Sequence, residues 1–118
     1  LEHFNGSLQI LKKVYGENHP STGKAYNNLG SLYYEQQEYE KALENYKKAL
    51  KIRLEIYGEN HPSTGTIYNN IGAVYKMQGN HEKALENFHK ALKINREAYG
   101  EKHPTVVNNL QHIGELKE

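Results

Sequence analysis

A stretch of nine residues, Tyr-Gly-Glu-Asn-His-Pro-Ser-Thr-Gly, occurs twice without change, at Tyr15–Gly23 and at Tyr57–Gly65. A weaker third copy opens with Tyr99-Gly100-Glu101-Lys102-His103-Pro104, and the spacing is 42 residues both times. Aligning residues 15–56 with 57–98 matches 27 of 42 positions. A fixed period of this length restricts the chain to an array in which each unit buries its apolar face against the next. The opening residues keep the same phase: Leu1, Glu2, Leu8 and Ile10 stand 42 before Leu43, Glu44, Leu50 and Ile52. The sequence therefore reads as the second helix of a truncated repeat (1–14), a complete repeat (15–56), another (57–98) and a partial third (99–118). It looks like an array cut at both ends from something longer.

Each repeat reads as two helices. The first is predicted over 20–36, with Pro20 at its first turn, where the missing N–H costs nothing. Tyr26, Leu29, Gly30 and Tyr33 then fall at i, i+3, i+4 and i+7, one face of a helix. The period breaks at Gln37-Glu38, where the second repeat has the turn pair Gly79-Asn80. The second helix is predicted over 39–57 on Ala42, Leu43, Tyr46, Ala49, Leu50 and Ile52. Glu38, Glu40 and Glu44 come before Lys47, Lys48, Lys51 and Arg53, an order that complements the helix dipole. Gly16, Gly58 and Gly100 follow these helices and are expected to stop them in a left-handed conformation.

Gly30, Gly72 and Gly114 recur inside the first helices, where Gly costs about 1 kcal/mol relative to Ala. A cost repeated at one phase implies close approach of a neighbouring helix. Ala42 and Ala84 are the expected counterparts, with Ala49 and Ala91 at the next contact.

The pattern Tyr26…Leu29-Gly30…Tyr33…Ala42…Tyr46…Ala49, with its second copy Tyr68…Ile71-Gly72…Tyr75…Gly79…Ala84…Phe88…Ala91, resembles the tetratricopeptide repeat. The 42-residue unit and the Tyr-Gly-x-x-His-Pro link are similar to the kinesin light chain type of that repeat. The resemblance covers nearly the whole chain and implies an all-α fold, a right-handed α-solenoid of stacked antiparallel helix pairs. The usual unit is shorter, about 34 residues, and its closing Pro is replaced here by Leu54 and Arg96. In the third copy Leu110 and Lys117 replace the two Tyr.

The resemblance also implies a function: the first helices line a concave groove that takes a peptide. Helical geometry places Lys24, Asn28, Ser31 and Glu35 on the stripe beside the core, with Asn27 and Tyr34 next to it. One repeat on, the same surface offers Asn70 and Met77, with Asn69 and Lys76. The third first-helix offers Asn108 and His112. Asn is a poor helix former, yet Asn27-Asn28 and Asn69-Asn70 sit mid-helix in both full repeats. An amide donates and accepts, so Asn28 and Asn70, which match the groove Asn of the family's peptide binders, suit reading an extended or helical peptide. The alternative is that one Asn of each pair ties adjacent helices together. Lys24 is the only basic residue at the positions where the family's carboxylate clamp would lie, so a mixed or weakly charged peptide is expected.

Other chemistries find little support. The chain lacks Cys, Trp and Asp, which removes thiolate nucleophiles, Cys-ligated zinc and a Ser-His-Asp triad. No phosphate-binding loop occurs, and Glu recurs at surface spacing; no enzyme activity and no cofactor are expected. His19, His61 and His103 recur a repeat apart, too far to share one metal ion, and are read as helix caps beside Pro. Fifteen Lys and Arg against fourteen Glu leave a net charge of +1, unlike the basic footprint of a nucleic-acid binder. No apolar run approaches the roughly 20 residues that span a bilayer, and LEHFNGS is not a signal-peptide pattern. The absence of Cys leaves the redox compartment open; a cytoplasmic location is the working expectation. A second reading is self-association. Leu1, Phe4, Leu8 and Leu11 at one end, and Leu110, Ile113 and Leu116 at the other, have no neighbouring repeat, so copies are expected to stack head to tail through the terminal helices.

Overall fold

The computed structural model describes residues 19–117, which form five α-helices: α1 (Pro20–Glu35), α2 (Tyr39–Tyr57), α3 (Pro62–Met77), α4 (His81–Tyr99) and α5 (Pro104–Lys117). The expectations for residues 1–14 and 15–18 lie outside the described residues. The chain divides into two compact units, Leu1–Gly58 and Glu59–Glu118. In the first, α1 packs on α2; in the second, α4 packs on both α3 and α5. α1 and α2, with α3 and α4 one period on, fall within a residue of the spans that the apolar period predicts.

The starts of the first helices share one device. His19 precedes Pro20 in extended conformation, and its Nδ1 accepts a hydrogen bond from the Ser21 N–H at 3.1 Å. His61 caps α3 through the Ser63 N–H at 3.0 Å, and His103 does the same for Thr105 at 3.2 Å. The imidazole thus serves where Ser, Asp or Asn usually supplies the acceptor, which accounts for three of the seven His.

The ends differ from expectation. The left-handed stop belongs to the first helices, at Gln37 (φ 65°) and its counterpart Gly79 (φ 78°). Glu38 N–H bonds back to Tyr33 O and Gln37 N–H to Tyr34 O, at 2.9 and 3.0 Å, and Asn80 and Gly79 repeat the pair onto Tyr75 and Lys76. These two bonds make a Schellman motif. Gly58 (φ 80°, ψ 180°) and Gly100 (φ 89°, ψ 169°) do have positive φ. Their ψ is extended, a combination open essentially to Gly alone. It turns the chain straight out of the helix toward the next His-Pro.

The close approach at the helical glycines is also made by a different partner. Ala42 and Ala84 are fully buried, but what lies against Gly30 is the ring of Tyr46, whose Cδ1 would sit 2.7 Å from an added Cβ. Against Gly72 it is Phe88, at 2.9 Å. An Ala methyl is too short to fill the groove that a missing Cβ leaves, whereas an aromatic face covers it. Around Gly114 an added Cβ would meet nothing within 4 Å.

The charged faces serve the fold. Lys48 and Lys90 pair with Glu44 and Glu86 at i, i+4. The same ammonium groups lie over the Tyr26 and Tyr68 rings, at 5.5 and 5.4 Å, and Lys41 and Lys83 lie over Tyr33 and Tyr75. Such contacts contribute about 0.5–1 kcal/mol each at exposed positions.

Candidate functional site

The residues singled out from the sequence fall in both units. On α1, Lys24, Asn28 and Glu35 are exposed and Asn27 is half-buried. Ser31 turns inward: its Oγ lies 2.9 Å from the Tyr46 hydroxyl oxygen. Burial raises the Tyr46 pKa above its ordinary value against the opposing effect of that hydrogen bond. The half-buried Tyr34 ring stands edge-on to Tyr39, centroids 5.8 Å apart. Of this group Lys24, Asn28 and Glu35 remain open to a ligand.

In the second unit the first helices α3 and α5 enclose a cleft of about 240 Å³. Asn69, Asn70 and Ala73 of α3 face Thr105, Asn108 and His112 of α5 across it, and Phe88 of α4 closes the bottom. Four of the expected site residues therefore meet in one place. Lys76 and Met77 are not among the lining residues. Lys76 Nζ bonds Glu115 Oε2 at 2.6 Å, bridging α3 and α5, while Met77 is 53% exposed. The Lys76 hydrogen bond and charge hold the Glu115 carboxyl below the usual carboxylate range.

Beneath the cleft runs a chain of amides. Asn95 Nδ2 donates to Asn109 Oδ1 at 2.8 Å, and Asn109 Nδ2 donates to Asn69 Oδ1. Asn95 and Asn109 are both buried, 1% and 0% exposed. The chain ties α4 to α5 and α5 to α3. It holds Asn69 by its oxygen, the kind of helix tie raised above as the alternative role for one Asn of each pair. Neither Asn95 nor Asn109 stands out in a search for groove residues. The signal that finds them is the change from their partners 42 residues earlier. Arg53 becomes Asn95, and the buried Ile67 becomes Asn109, two exchanges that each end in an amide on helices that pack together.

His112 holds the phase of Asn28 and Asn70. Its ring lies flat on Phe88, centroids 5.2 Å apart and planes 8° apart. Its Nδ1 is buried and has no hydrogen-bond partner among the described residues. The lining residues carry no acidic or basic side chain apart from this imidazole, so the cleft offers amides, a hydroxyl and a ring nitrogen over an aromatic floor.

A second, smaller cleft of about 140 Å³ lies by Glu59, Tyr68, Lys90 and Lys93 and contains none of the expected residues. Among the described residues no three His or Glu stand close enough to hold a metal ion, and no helix is long and apolar enough to cross a membrane.

The family model for the tetratricopeptide repeat matches residues 1–55, 25–94 and 63–118. No curated protein matches the chain in sequence. Among solved structures it is similar to BtubC (BKLC) from P. vanneervenii, with a TM-score of 0.89 and 22% identity, covering 98% of this chain and 46% of that one. It is also similar to a putative kinesin light chain of Podosopora anserina with nearly identical TPR-like repeats. There the TM-score is 0.87 and the identity 18%, covering 98% of this chain and 55% of the other. A single-residue variant of that protein matches equally, with 54% of its chain covered. The chain thus spans about half the length of the proteins it resembles, and at these identities the likeness shows the fold, an all-α solenoid of helix pairs.

Proposed function

The chain belongs to the tetratricopeptide repeat family, whose repeats generally mediate protein–protein interaction, and from that premise we propose that it is a non-enzymatic scaffold that binds a peptide segment of a partner protein. The segment lies in the cleft between α3 and α5, with Asn70 and Asn108 hydrogen-bonding its backbone. Asn28 and Lys24 of α1 stand on the matching face in the first unit and serve the same purpose there. The observation that carries this reading is the cleft itself: four groove positions chosen from the resemblance and helical geometry line one cavity. Its neutral, amide-rich wall suits the backbone of a weakly charged peptide and offers little to a nucleic-acid phosphate.

The test starts from peptides selected against the protein from a random display library. Asn70→Ala is expected to weaken the selected peptide about tenfold, the loss of one or two hydrogen bonds, by more than any loss of stability accounts for. A large fall in stability with no specific loss of affinity would make Asn70 a structural tie and remove the groove reading.

A second reading is favoured by α5. Val107 and Leu110 are 50% and 41% exposed, and the Gly114 notch is open where Gly30 and Gly72 each take an aromatic ring. A second copy covers this face in that reading. Sedimentation from micromolar to millimolar protein is then expected to show growing mass, abolished by Leu110→Ser. A mass independent of concentration rules it out.

A further inference from the structure

The smaller cleft, of about 140 Å³, lies within the second unit and shares no residue with the cleft between α3 and α5. It is lined by Glu59 and Asn60 from the link before α3, by Tyr68 of α3, and by Lys90, Lys93 and Ile94 of α4. Tyr68 and Ile94 are buried and give it an apolar wall. Tyr68 is only 7% exposed, yet its hydroxyl bonds no described residue and is not sealed in, so the polar end of this side chain is presented to the cleft. Buried polar groups are nearly always bonded, and an exception calls for a missing partner. Burial first, and the Glu59 charge second, hold the phenol above its ordinary pKa, so it stays an O–H donor.

The charges are placed to match. Lys90 Nζ lies over the Tyr68 ring, 5.4 Å from its centroid, which keeps one ammonium at this wall. Lys93 has no ion pair or hydrogen bond among the described residues, and Glu59 is paired with neither lysine. All six lining residues also match the residue 42 positions earlier: Glu17, Asn18, Tyr26, Lys48, Lys51 and Ile52. Packing accounts for the buried Tyr and Ile. It does not account for Asn60 and Lys93, which are exposed and bonded to no described residue, while other exposed positions have changed, Lys47 to His89 and Glu35 to Met77.

We propose that this cleft binds the carboxylate of an aspartate or glutamate side chain carried by a partner protein. The Tyr68 hydroxyl and the Asn60 amide donate to its oxygens, and Lys90 and Lys93 supply the countercharge. The apolar wall strengthens these bonds by keeping water from one side. The lining carries two positive charges and one negative, so a singly charged guest is balanced, whereas a dianion is left in excess beside Glu59. The proposal stands apart from the peptide cleft, since the two have no residue in common.

The experiment titrates the whole chain at neutral pH and constant ionic strength, following the Ile94 methyl signals by NMR. The probes are sodium acetate, sodium sulfate, and a short glycine peptide with blocked ends and one glutamate. Acetate and the peptide are each expected to shift the signals along a saturating curve, with sulfate binding more weakly than either. Tyr68→Phe keeps the ring under Lys90 and removes only a hydroxyl that the fold does not use. It is expected to leave the denaturant midpoint unchanged and to weaken the peptide about tenfold, the loss of one hydrogen bond to a charged group. Lys93→Gln is expected to weaken it comparably, whereas Lys102→Gln, an exposed lysine outside the cleft, is expected to stay within about twofold. Sulfate binding more tightly than acetate, or equal losses in the two lysine variants, would mean attraction to net charge alone and overturns the proposal. Affinity indifferent to Tyr68→Phe overturns it as well. Acetate that binds where the peptide does not also overturns it, because the guest is then a free acid and not a protein side chain. None of these outcomes touches the Asn70 test, which reads the other cleft.

Discussion

Asn109→Ala is expected to destabilise the second unit by about 3 kcal/mol, read as a fall in the denaturant midpoint at unchanged slope. Asn109 is fully buried and sits in the middle of the amide chain, donating to Asn69 and accepting from Asn95. Its truncation removes both bonds at once. It also leaves the Asn95 amide, 1% exposed, with a donor in a dry interior, and an unmet buried polar group costs about 1–3 kcal/mol. The space vacated by the carboxamide adds a smaller cavity penalty. The companion experiment is the double variant Asn95→Leu with Asn109→Ile, which restores at 109 the residue found one repeat earlier. With both buried partners apolar no buried amide is left unpaired, and such exchanges are near neutral. The Asn69 oxygen that loses its donor belongs to a half-buried residue at the cleft, where water reaches it. The pair is therefore expected to recover most of the loss, leaving an interaction energy of well over about 1 kcal/mol in the double-mutant cycle. A loss below about 1 kcal/mol for Asn109→Ala alone would show the amide chain to be idle.

That amide chain marks where sequence reading stops. The helices were legible because one period of 3.6 and one of 42 agree: Tyr26, Leu29 and Gly30 recur as Tyr68, Ile71 and Gly72, and each is buried. The candidate cleft was half legible. The resemblance and helical phase select Asn69, Asn70, Asn108 and His112, but they do not say that Asn69 also bonds a neighbouring helix. That depends on whether a partner amide lies opposite, and the partner, Asn109, is a departure from the repeat. Ser31 shows the same dependence on a neighbour. It sits on the expected groove stripe, yet Tyr46 supplies a hydroxyl within reach, so the side chain is drawn to the protein. The second repeat removes both oxygens together, with Ala73 and Phe88, and the same position there lines the cleft. Pairs that change in concert between copies carry information that a single stripe does not.

The same logic of copies gives the second large effect, in which one substitution changes sign with position. Gly→Ala inside a helix reduces the freedom of the unfolded chain and is worth about 0.5–1 kcal/mol where the methyl has room. At Gly114 it has room, since nothing lies within 4 Å of the new Cβ, so Gly114→Ala is expected to stabilise. At Gly72 the new carbon would stand 2.9 Å from both Cδ1 and Cε1 of Phe88 and 3.2 Å from its Cγ. Three ring atoms at once, including Cγ at the root of the ring, mean that the whole ring must shift to clear the methyl. Phe88 is itself 1% exposed and stacked under His112, so the ring can only move by displacing the floor of the cleft. Overpacking of this kind costs about 1–3 kcal/mol, more than the backbone gain. The two variants are expected to lie about 2 kcal/mol apart with opposite signs, measured as denaturant midpoints of the whole chain. Phe88→Leu placed behind Gly72→Ala shortens the ring's reach and is expected to recover part of the loss relative to the sum of the single changes. Gly72→Ala matching Gly114→Ala in sign and size would mean that the glycines recur for some reason other than the ring. Because Phe88 also carries His112, the unrelieved Gly72→Ala variant is expected to weaken peptide binding as well, whereas Gly114→Ala is expected to leave it alone.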